Sequence, residues 1–492
     1  MSAARVAVAI IGTGFSGIAV AIGLQKRGIS DFVLLDANKQ AGGTWQVNTY
    51  PGCACDVPSH LYSFSFAPNP DWTHVFSRQP EIRAYTERVT AEFGLHAHIR
   101  VNSEVQEALW REESGDWQLT LATGEVLVAR TVVTATGALR TPTTPTVPGA
   151  GTFTPPAWHS AQWRDDVDLS DKTVAIVGTG ASAIQLVPAL ASRVRKLIVY
   201  QRTPAWVMPR KDRAHTDAER RGFATKPWRR RLHRFRLYWR MEVQAVAFVT
   251  APVVMRAVAF MGRHNIAQGI ADRALRQTVT PAYLPGCKRI LLSDDYYPTL
   301  ARANVEVIAE AVSALDGDTV CTASGERRQV DALIWATGFD LSNLLAPMTV
   351  VGRDGHAMAD AWGDLPHAYF GMAVPRFPNL FMMTGPNTGL GHNSMIFMIE
   401  AMAPMVLACV ERALAGSGHT VEVTVAAEAA FNAGLQQRLA AAIWGSGCRS
   451  WYLDGAGRNP ILWPGYTFDF WRRTRRVRWD DFSVAPLTAR DA

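Results

Sequence analysis

Arg5-Val-Ala-Val-Ala-Ile-Ile11, followed by Gly12-Thr-Gly-Phe-Ser-Gly17, decides the fold. The apolar run does not alternate, as a strand covered on both faces requires. Ile18–Lys26 then reads as a helix ending at Gly28, and Asp31-Phe-Val-Leu-Leu35 as a second strand ending on Asp36. Strand, glycine turn, helix, strand and terminal acid form the dinucleotide-binding fingerprint. Gly12 makes the tight turn, Gly14 lets the backbone approach a pyrophosphate, and Gly17 lets helix and strand pack closely. The helix N-terminus offers free N–H groups to the phosphates, and Asp36 can accept from a ribose diol.

The pattern recurs. Lys172-Thr-Val-Ala-Ile-Val177 reads as a strand, Gly178-Thr-Gly-Ala-Ser-Ala183 as the turn, Ile184–Ala191 as the helix and Lys196–Tyr200 as the next strand. Gln201, Arg202 and Thr203 follow with no acid. Arg202 suits a 2′-phosphate, which an acid would repel, so the two turns divide their ligands: FAD at Asp36 and NADPH at Arg202. Thr131–Gly137 and Ala332–Gly338 are short apolar runs that each end in Ala-Thr-Gly, as a strand terminus close to a cofactor would. The Pro-rich stretch Thr141–Pro148 reads as a linker.

The predicted fold is α/β: two dinucleotide-binding, Rossmann-like domains with a helical insertion in the second. Residues 1–146 are expected to form the first part of the FAD domain. Residues 147–340 form the NADPH domain with its insertion at about 212–284, and 341–492 return to the FAD domain.

Composition narrows the class. The 492 residues are 48% hydrophobic and 19% charged, which excludes a disordered or fibrous chain. Six cysteines exclude a disulfide framework, and no paired C-x2-C spacing marks a metal site. Reduced thiols and a cytoplasmic location are the expectation, with no signal peptide at the start. The basic residues concentrate in Arg229–Arg240 and Arg472–Arg478, so the net charge of +7 says little about the rest of the chain, and no nucleic-acid partner is expected. The apolar segment Val243–Met261 is expected to be a buried helix of the insertion. Membrane contact is the lesser alternative, since Pro252 and Arg256 oppose a span.

Gly42-Gly-Thr-Trp45, Tyr50-Pro-Gly52 and Asp56 match the pattern GGxW-x4-YPG-x3-D at every fixed position. With two dinucleotide turns, the chain therefore resembles the type I Baeyer–Villiger monooxygenases, class B flavoprotein monooxygenases, over nearly its full length. A second family motif, FxGxxxHxxxW, is met by Phe153, His159 and Trp163, but Pro155 replaces the glycine and Arg164 follows the tryptophan. That departure points toward flavin-containing N- or S-monooxygenases, which stand as the alternative. His159 reads as a structural residue between the domains.

The resemblance implies site residues. Arg289, in Lys288-Arg289 before Asp295-Tyr-Tyr297, would be the catalytic arginine over the flavin, with Asp56 its acid partner. Gly12, Gly14, Ser16, Gly17, Asp36, Thr44, Trp45, Gln46, Val47, Tyr62, Val105 and Met395 would contact FAD. Gly178, Thr179, Gly180, Ala181, Ser182, Ala183, Ile184, Gln185, Arg202, Thr203, Lys288 and Trp451 would contact NADPH. The implied partners are a small-molecule ketone and O2: the reaction consumes NADPH and O2 and inserts one oxygen next to the ketone carbonyl through a C4a-peroxyflavin, giving an ester or lactone. Linear, cyclic and aromatic ketones all stay open. A flavin disulfide reductase is disfavoured because Cys53 and Cys55 have the wrong spacing. His392 and Asn393 read either as substrate contacts or as a helix cap, and Asn459–Tyr466 has no assigned chemistry.

Overall fold

The structure is a computed structural model describing residues 4–341, 344–445, 452–454 and 456–487. The first apolar run forms β1 (Ala4–Ile11), where Val8, Ala9 and Ile10 are fully buried. The glycine turn opens α1 (Phe15–Gln25), and β2 (Phe32–Leu35) follows. Next come β3 (Ile99–Arg100), β4 (Val105–Arg111), β5 (Asp116–Leu121) and β6 (Val126–Thr134). The second sheet comprises β7 (Ala157–His159), β8 (Thr173–Val177), β9 (Lys196–Tyr200), β10 (Val305–Ile308) and β11 (Ala332–Trp335). Its order is β10-β9-β8-β11-β7, all parallel, with α2 (Ala181–Ala191) after β8. Two later strands, β12 (Thr349–Val351) and β13 (Leu380–Met382), return to the first sheet. That sheet runs β12-β4-β5-β6-β1-β2-β3, with β13 also on β6.

The same contact closes both nucleotide turns. Gly12 has φ +113° and Gly178 φ +128°, a backbone that L side chains rarely adopt. A Cβ on Gly12 would lie 2.4 Å from the Ala135 oxygen, and one on Gly178 2.3 Å from the Ala336 oxygen. Ala135 and Ala336 begin the two Ala-Thr-Gly segments, so the repeated tripeptide marks where each strand end meets its glycine turn.

The two crossings between the sheets pair with each other. Thr143 N–H donates to the Gly338 carbonyl at 2.9 Å, and Asp340 N–H to the Thr141 carbonyl at 2.9 Å. His159 lies buried beside this hinge, its ring 5.6 Å from that of Phe339. Its Nδ1 accepts from Ala161 N–H at 3.1 Å, and burial lowers its pKa. Both features hold it as a neutral packing residue at the hinge.

Between β9 and β10 the insertion folds as α3 (Asp217–Thr225), α4 (Pro227–Glu242), α5 (Met255–Gly269) and α6 (Arg273–Val279). A capping box of Thr216 and Glu219 starts α3. Val243–Met261 is not the single buried helix that its composition implied. It breaks into a π-turn at Val246–Thr250 and a 3-10 turn at Pro252–Val254 before α5, with a 116° bend. Pro252 accounts for the break: it has no N–H and forces Ala251 out of the helical region, to φ −135°, ψ 68°. Ala245, Phe248, Met255 and Ala259 are buried, but Val243, Val253 and Phe260 are 63, 65 and 71% exposed. Among the described residues no single helix is long and apolar enough to cross a membrane.

The expectation of thiols reduced throughout is also corrected. Cys53, Cys55, Cys321 and Cys409 are free, but Cys287 is disulfide-bonded. A count of six excludes a disulfide framework, not one bridge. In the C-terminal part, α7 (Met395–Leu414) packs on α1, and α8 (Thr467–Thr474) packs on α7. Asn459–Tyr466 has a structural role. It runs beside the loop before α7, with Gly389 N–H donating to Ile461 O and Trp463 N–H to Gly389 O.

The insertion meets the FAD-side loop through three histidines. The His60 ring lies 5.3 Å from His215, 5.2 Å from His233 and 4.4 Å from Phe223. Burial, then the neighbouring histidines, lowers the His60 pKa to about 3. The unfolded chain therefore takes up a proton below about pH 6.5 that the folded chain refuses. This contribution to stability is complete above that pH and is lost as pH falls toward 3, by up to ~1.4 kcal/mol per pH unit. Thermal melting should accordingly drop between pH 6.5 and 4, and His60→Leu should flatten that dependence. An unchanged slope in the variant would assign the acid sensitivity elsewhere.

Candidate active site

Two glycine turns face each other at the start of α1. Gly14 is its N-cap, and a Cβ on Gly43 would lie 2.8 Å from the Gly14 Cα. A Cβ on Gly17 would lie 2.0 Å from the Gly12 oxygen. The bare backbone of Gly14 and Gly43 leaves the N-terminal N–H groups of α1 open, the cradle that a dinucleotide pyrophosphate fills. Asp36 is buried, and its carboxylate accepts from Thr13 N–H at 3.0 Å and from the Thr13 hydroxyl. Its other oxygen takes the N–H and side-chain amide of Asn38, both at 2.9 Å. A ribose hydroxyl would displace the amide of the exposed Asn38, the cheapest of these donors to move.

The other flavin-side residues gather around this cradle. Thr44–Val47 forms one helical turn from Gly43, carrying Thr44, Trp45, Gln46 and Val47. Trp45 Nε1–H donates to the Tyr62 hydroxyl at 3.1 Å. Ser16 is buried in the first turn of α1. Val105 begins β4, two residues after Ser103, whose N–H donates to the Asp36 carbonyl. Met395 begins α7 directly after Ser394, which caps the helix with its hydroxyl. These residues fit FAD.

Of the NADPH-side residues, Arg202, Thr203 and Lys288 line a cleft of about 530 Å³, together with Thr280 and Tyr283. Desolvation, then Arg202, lowers the Lys288 pKa. Two cations that raise each other's energy make a site that an anion relieves. Thr179 donates to the Thr203 carbonyl at 2.8 Å, and Gly180 caps α2 with open space beyond it. Ala181, Ser182, Ala183 and Ile184 form the first turn of α2. These residues fit a 2′-phosphorylated dinucleotide. Trp451 lies outside the described residues.

Gln185 has a different position. Its amide donates to the Ala54 carbonyl at 2.9 Å, and its oxygen accepts from the Tyr50 hydroxyl at 3.0 Å. A Cβ on Gly52 would lie 2.6 Å from the Gln185 carbonyl. The Tyr50-Pro-Gly52 stretch is thus docked on α2, and Gln185 is a clamp between the two sheets.

That clamp ends at Asp56, which meets Arg289. Nη2 of Arg289 lies 2.6 Å from Oδ2 of Asp56, and Nε lies 3.2 Å from the same oxygen. The side chains are 38 and 27% exposed. Asp56 raises the guanidinium pKa, outweighing desolvation. Arg289 does not pair with Asp294, which instead accepts from the N–H groups of Arg210, Lys211 and Asp212. Burial raises the pKa of Cys53 to about 12 and of Tyr452 to about 12, and pushes Cys55 and Tyr62 upward. Tyr452 escaped the sequence reading: its only signal was adjacency to Trp451, although it is buried and coupled to Arg289 and Asp56.

Comparison with known proteins decides the family. The chain is 45% identical over 482 residues to a Baeyer–Villiger monooxygenase of Streptomyces coelicolor, covering 98% of this chain and 93% of the relative. It is 44% identical to one of Pseudomonas aeruginosa, covering 98 and 91%. The chain belongs to the Baeyer–Villiger monooxygenase family. Residues 9–217 also match the model of the pyridine nucleotide-disulphide oxidoreductases. The structure resembles cyclohexanone monooxygenase from Rhodococcus sp. Phi1 bound to NADP+, with 28% identity, a TM-score of 0.87 and 99 and 100% coverage. Disulfide chemistry of the broader family lacks a reactive pair at Cys53 and Cys55, since both thiols are buried and held protonated. The Baeyer–Villiger family motif instead carries the Asp56 carboxylate that meets Arg289.

The cleft cations yield a test of cofactor choice. Charge-assisted contacts to a 2′-phosphate are worth about 1.5–3 kcal/mol each. Arg202→Ala should raise the Michaelis constant for NADPH roughly 10–100-fold and leave that for NADH nearly unchanged. Equal losses with both cofactors in steady-state kinetics would refute the assignment.

Proposed function

We propose that the Arg289–Asp56 pair is the catalytic centre of an FAD-containing, NADPH- and O2-dependent monooxygenase that converts a ketone to an ester or lactone. The domain limits proposed with this reading are 1–146 and 341–492 for FAD and 147–340 for NADPH, with the insertion at about 212–284. FAD, once bound and reduced by NADPH, supplies the activated oxygen.

The chain's own residues supply position and field. Gly12, Gly14, Gly17 and Asp36 would hold the flavin nucleotide, and Arg202, Thr203 and Lys288 would hold the NADPH phosphate. Arg289 lies one residue from Lys288, so cofactor binding and the catalytic cation are on one segment. A guanidinium does not lose its proton in a protein. Arg289 therefore stabilises negative charge on oxygen without donating a proton, both before attack and on the oxyanion formed at the ketone carbon. Asp56 aims the fork and balances its charge in the resting site. Migration of a carbon from that centre to oxygen gives the ester. The observation that carries this reading is the direct contact of Arg289 with the acid that closes the Gly42–Asp56 motif.

The alternative of N- or S-oxygenation rested on Arg164. Arg164 is exposed and pairs with its neighbour Asp166 on the surface at 2.5 Å. Nothing in the geometry favours that chemistry over ketone oxidation.

Arg289→Ala should fold, bind FAD and be reduced by NADPH, since the flavin and most phosphate contacts lie elsewhere. Ester formation should fall about 100–1000-fold, the usual effect of losing one preorganised charge. Arg289→Lys should not rescue it, because an ammonium lacks the planar fork and can deprotonate when desolvated. NADPH consumed, hydrogen peroxide released and ester formed would be measured together with linear, cyclic and aromatic ketones. Both variants should oxidise NADPH while reducing O2 to hydrogen peroxide, with little ester formed. Wild-type ester yield in either would sink the role of Arg289.

A further inference from the structure

The insertion and the C-terminal helix leave an apolar face uncovered. On α4, Trp228, Leu232, Phe235 and Trp239 recur every three or four residues and are 63, 38, 59 and 42% exposed. That spacing puts them on one side of the helix. The other side is anchored: Leu237 is buried, and Arg234 donates to the carbonyls of His60 and Ser63 at 2.8 and 2.9 Å. The stripe continues onto α8, because Trp239 and Phe468 have ring centroids 6.2 Å apart, and Phe468 and Trp471 are both exposed. Single exposed apolar side chains are ordinary, but five aromatic rings on two touching helices are not.

Cations border this stripe. Arg229, Arg231, Arg236 and Arg240 are exposed on α4, and among the described residues none of them forms a salt bridge. Arg475 and Arg476 are exposed just beyond α8, with the Arg475 guanidinium 4.5 Å from the Trp471 ring centroid. The acid that ends α4 does not oppose them. Glu242 is turned inward, accepting from Thr467 N–H and hydroxyl and from the Asn393 amide.

We propose that this face docks on an anionic phospholipid surface and lies within its interface. Aromatic rings seated at the headgroup boundary with guanidinium groups on the phosphates are the chemistry such a surface selects. Crossing the bilayer is excluded by the six arginines of α4 and by the 116° bend after it. A second copy of the chain is a poor occupant. A two-fold contact would place one arginine-bordered stripe against another and set like charges face to face. Lipid phosphate relieves that charge instead. The docked helix also reaches the site: Glu242 holds Asn393, two residues before Met395.

The test is cosedimentation of the FAD-loaded full chain with vesicles of phosphatidylcholine alone or mixed with phosphatidylglycerol. Binding should be strong on the mixed vesicles, weak on the neutral ones, and weaker as salt is raised. Phe235→Glu with Trp239→Glu should cut binding at least roughly tenfold, with flavin absorbance and NADPH oxidation on a soluble ketone unchanged. Should that variant lose its flavin, replacement of Arg229, Arg231, Arg236 and Arg240 by Gln decides the matter. It should lose about fivefold per arginine on mixed vesicles and little on neutral ones. Absence of binding by the wild type at low salt, or wild-type binding by a folded variant, would overturn the proposal. So would a dimer, seen by sedimentation velocity, that the glutamate variant dissociates without any vesicle binding.

Discussion

An ion pair between residues 233 positions apart governs the rest of the structure: Arg289 on the NADPH side and Asp56 on the flavin side. It forms only if both dinucleotide units are held in one register. Three contacts set that register. Gln185 clamps Ala54 and Tyr50, Gly52 admits the α2 backbone where any side chain would collide, and residues 141–143 pair with 338–340 across the hinge. None of the three is catalytic. Each acts by fixing where the carboxylate meets the guanidinium, which is why the motif joins glycines, a tyrosine and an acid in one stretch.

What the sequence made legible follows from the range of each constraint. The nucleotide turns were readable because a glycine turn, its strand and its helix are adjacent, and Gly12, Gly14, Gly17 and Gly178 each meet backbone within 3.5 Å of where a Cβ would sit. The Ala-Thr-Gly repeats were readable as strand ends, but their contact with Gly12 and Gly178 is visible only in three dimensions. The Asp56 partner of Arg289 came from family resemblance. Asp294 and Asp295 lie closer to Arg289 in sequence, but Asp294 is committed to three backbone N–H groups. Gln185 as a clamp had no local signal, and Tyr452 as a neighbour of Arg289 had only its adjacency to Trp451.

Val243–Met261 shows a different limit. Apolar composition reports that a segment avoids water, not what it meets instead. Pro252 was legible as an obstacle to a span, and it does break the helix. Phe248 turns inward against the rings of His392 and Trp444, at 6.2 and 6.1 Å, while Val243 and Phe260 turn outward, and partners so distant in sequence are not encoded in the periodicity of the segment itself.

The surroundings of the ion pair complete the chemical logic. Cys53, Cys55, Tyr62 and Tyr452 lie near Asp56 or Arg289, and burial raises the pKa of all four. At neutral pH they keep their protons, so the guanidinium and its carboxylate carry the fixed charge there. Two consequences follow. The tyrosines are poor acids in this setting, so they would not readily protonate the oxygen anion that the proposed mechanism places beside the arginine. The thiols are not thiolates, and the thiolate is the form that nucleophilic attack and oxidation require. On the proposed reading, two cysteines beside activated oxygen are spared because their own burial withholds the reactive thiolate form.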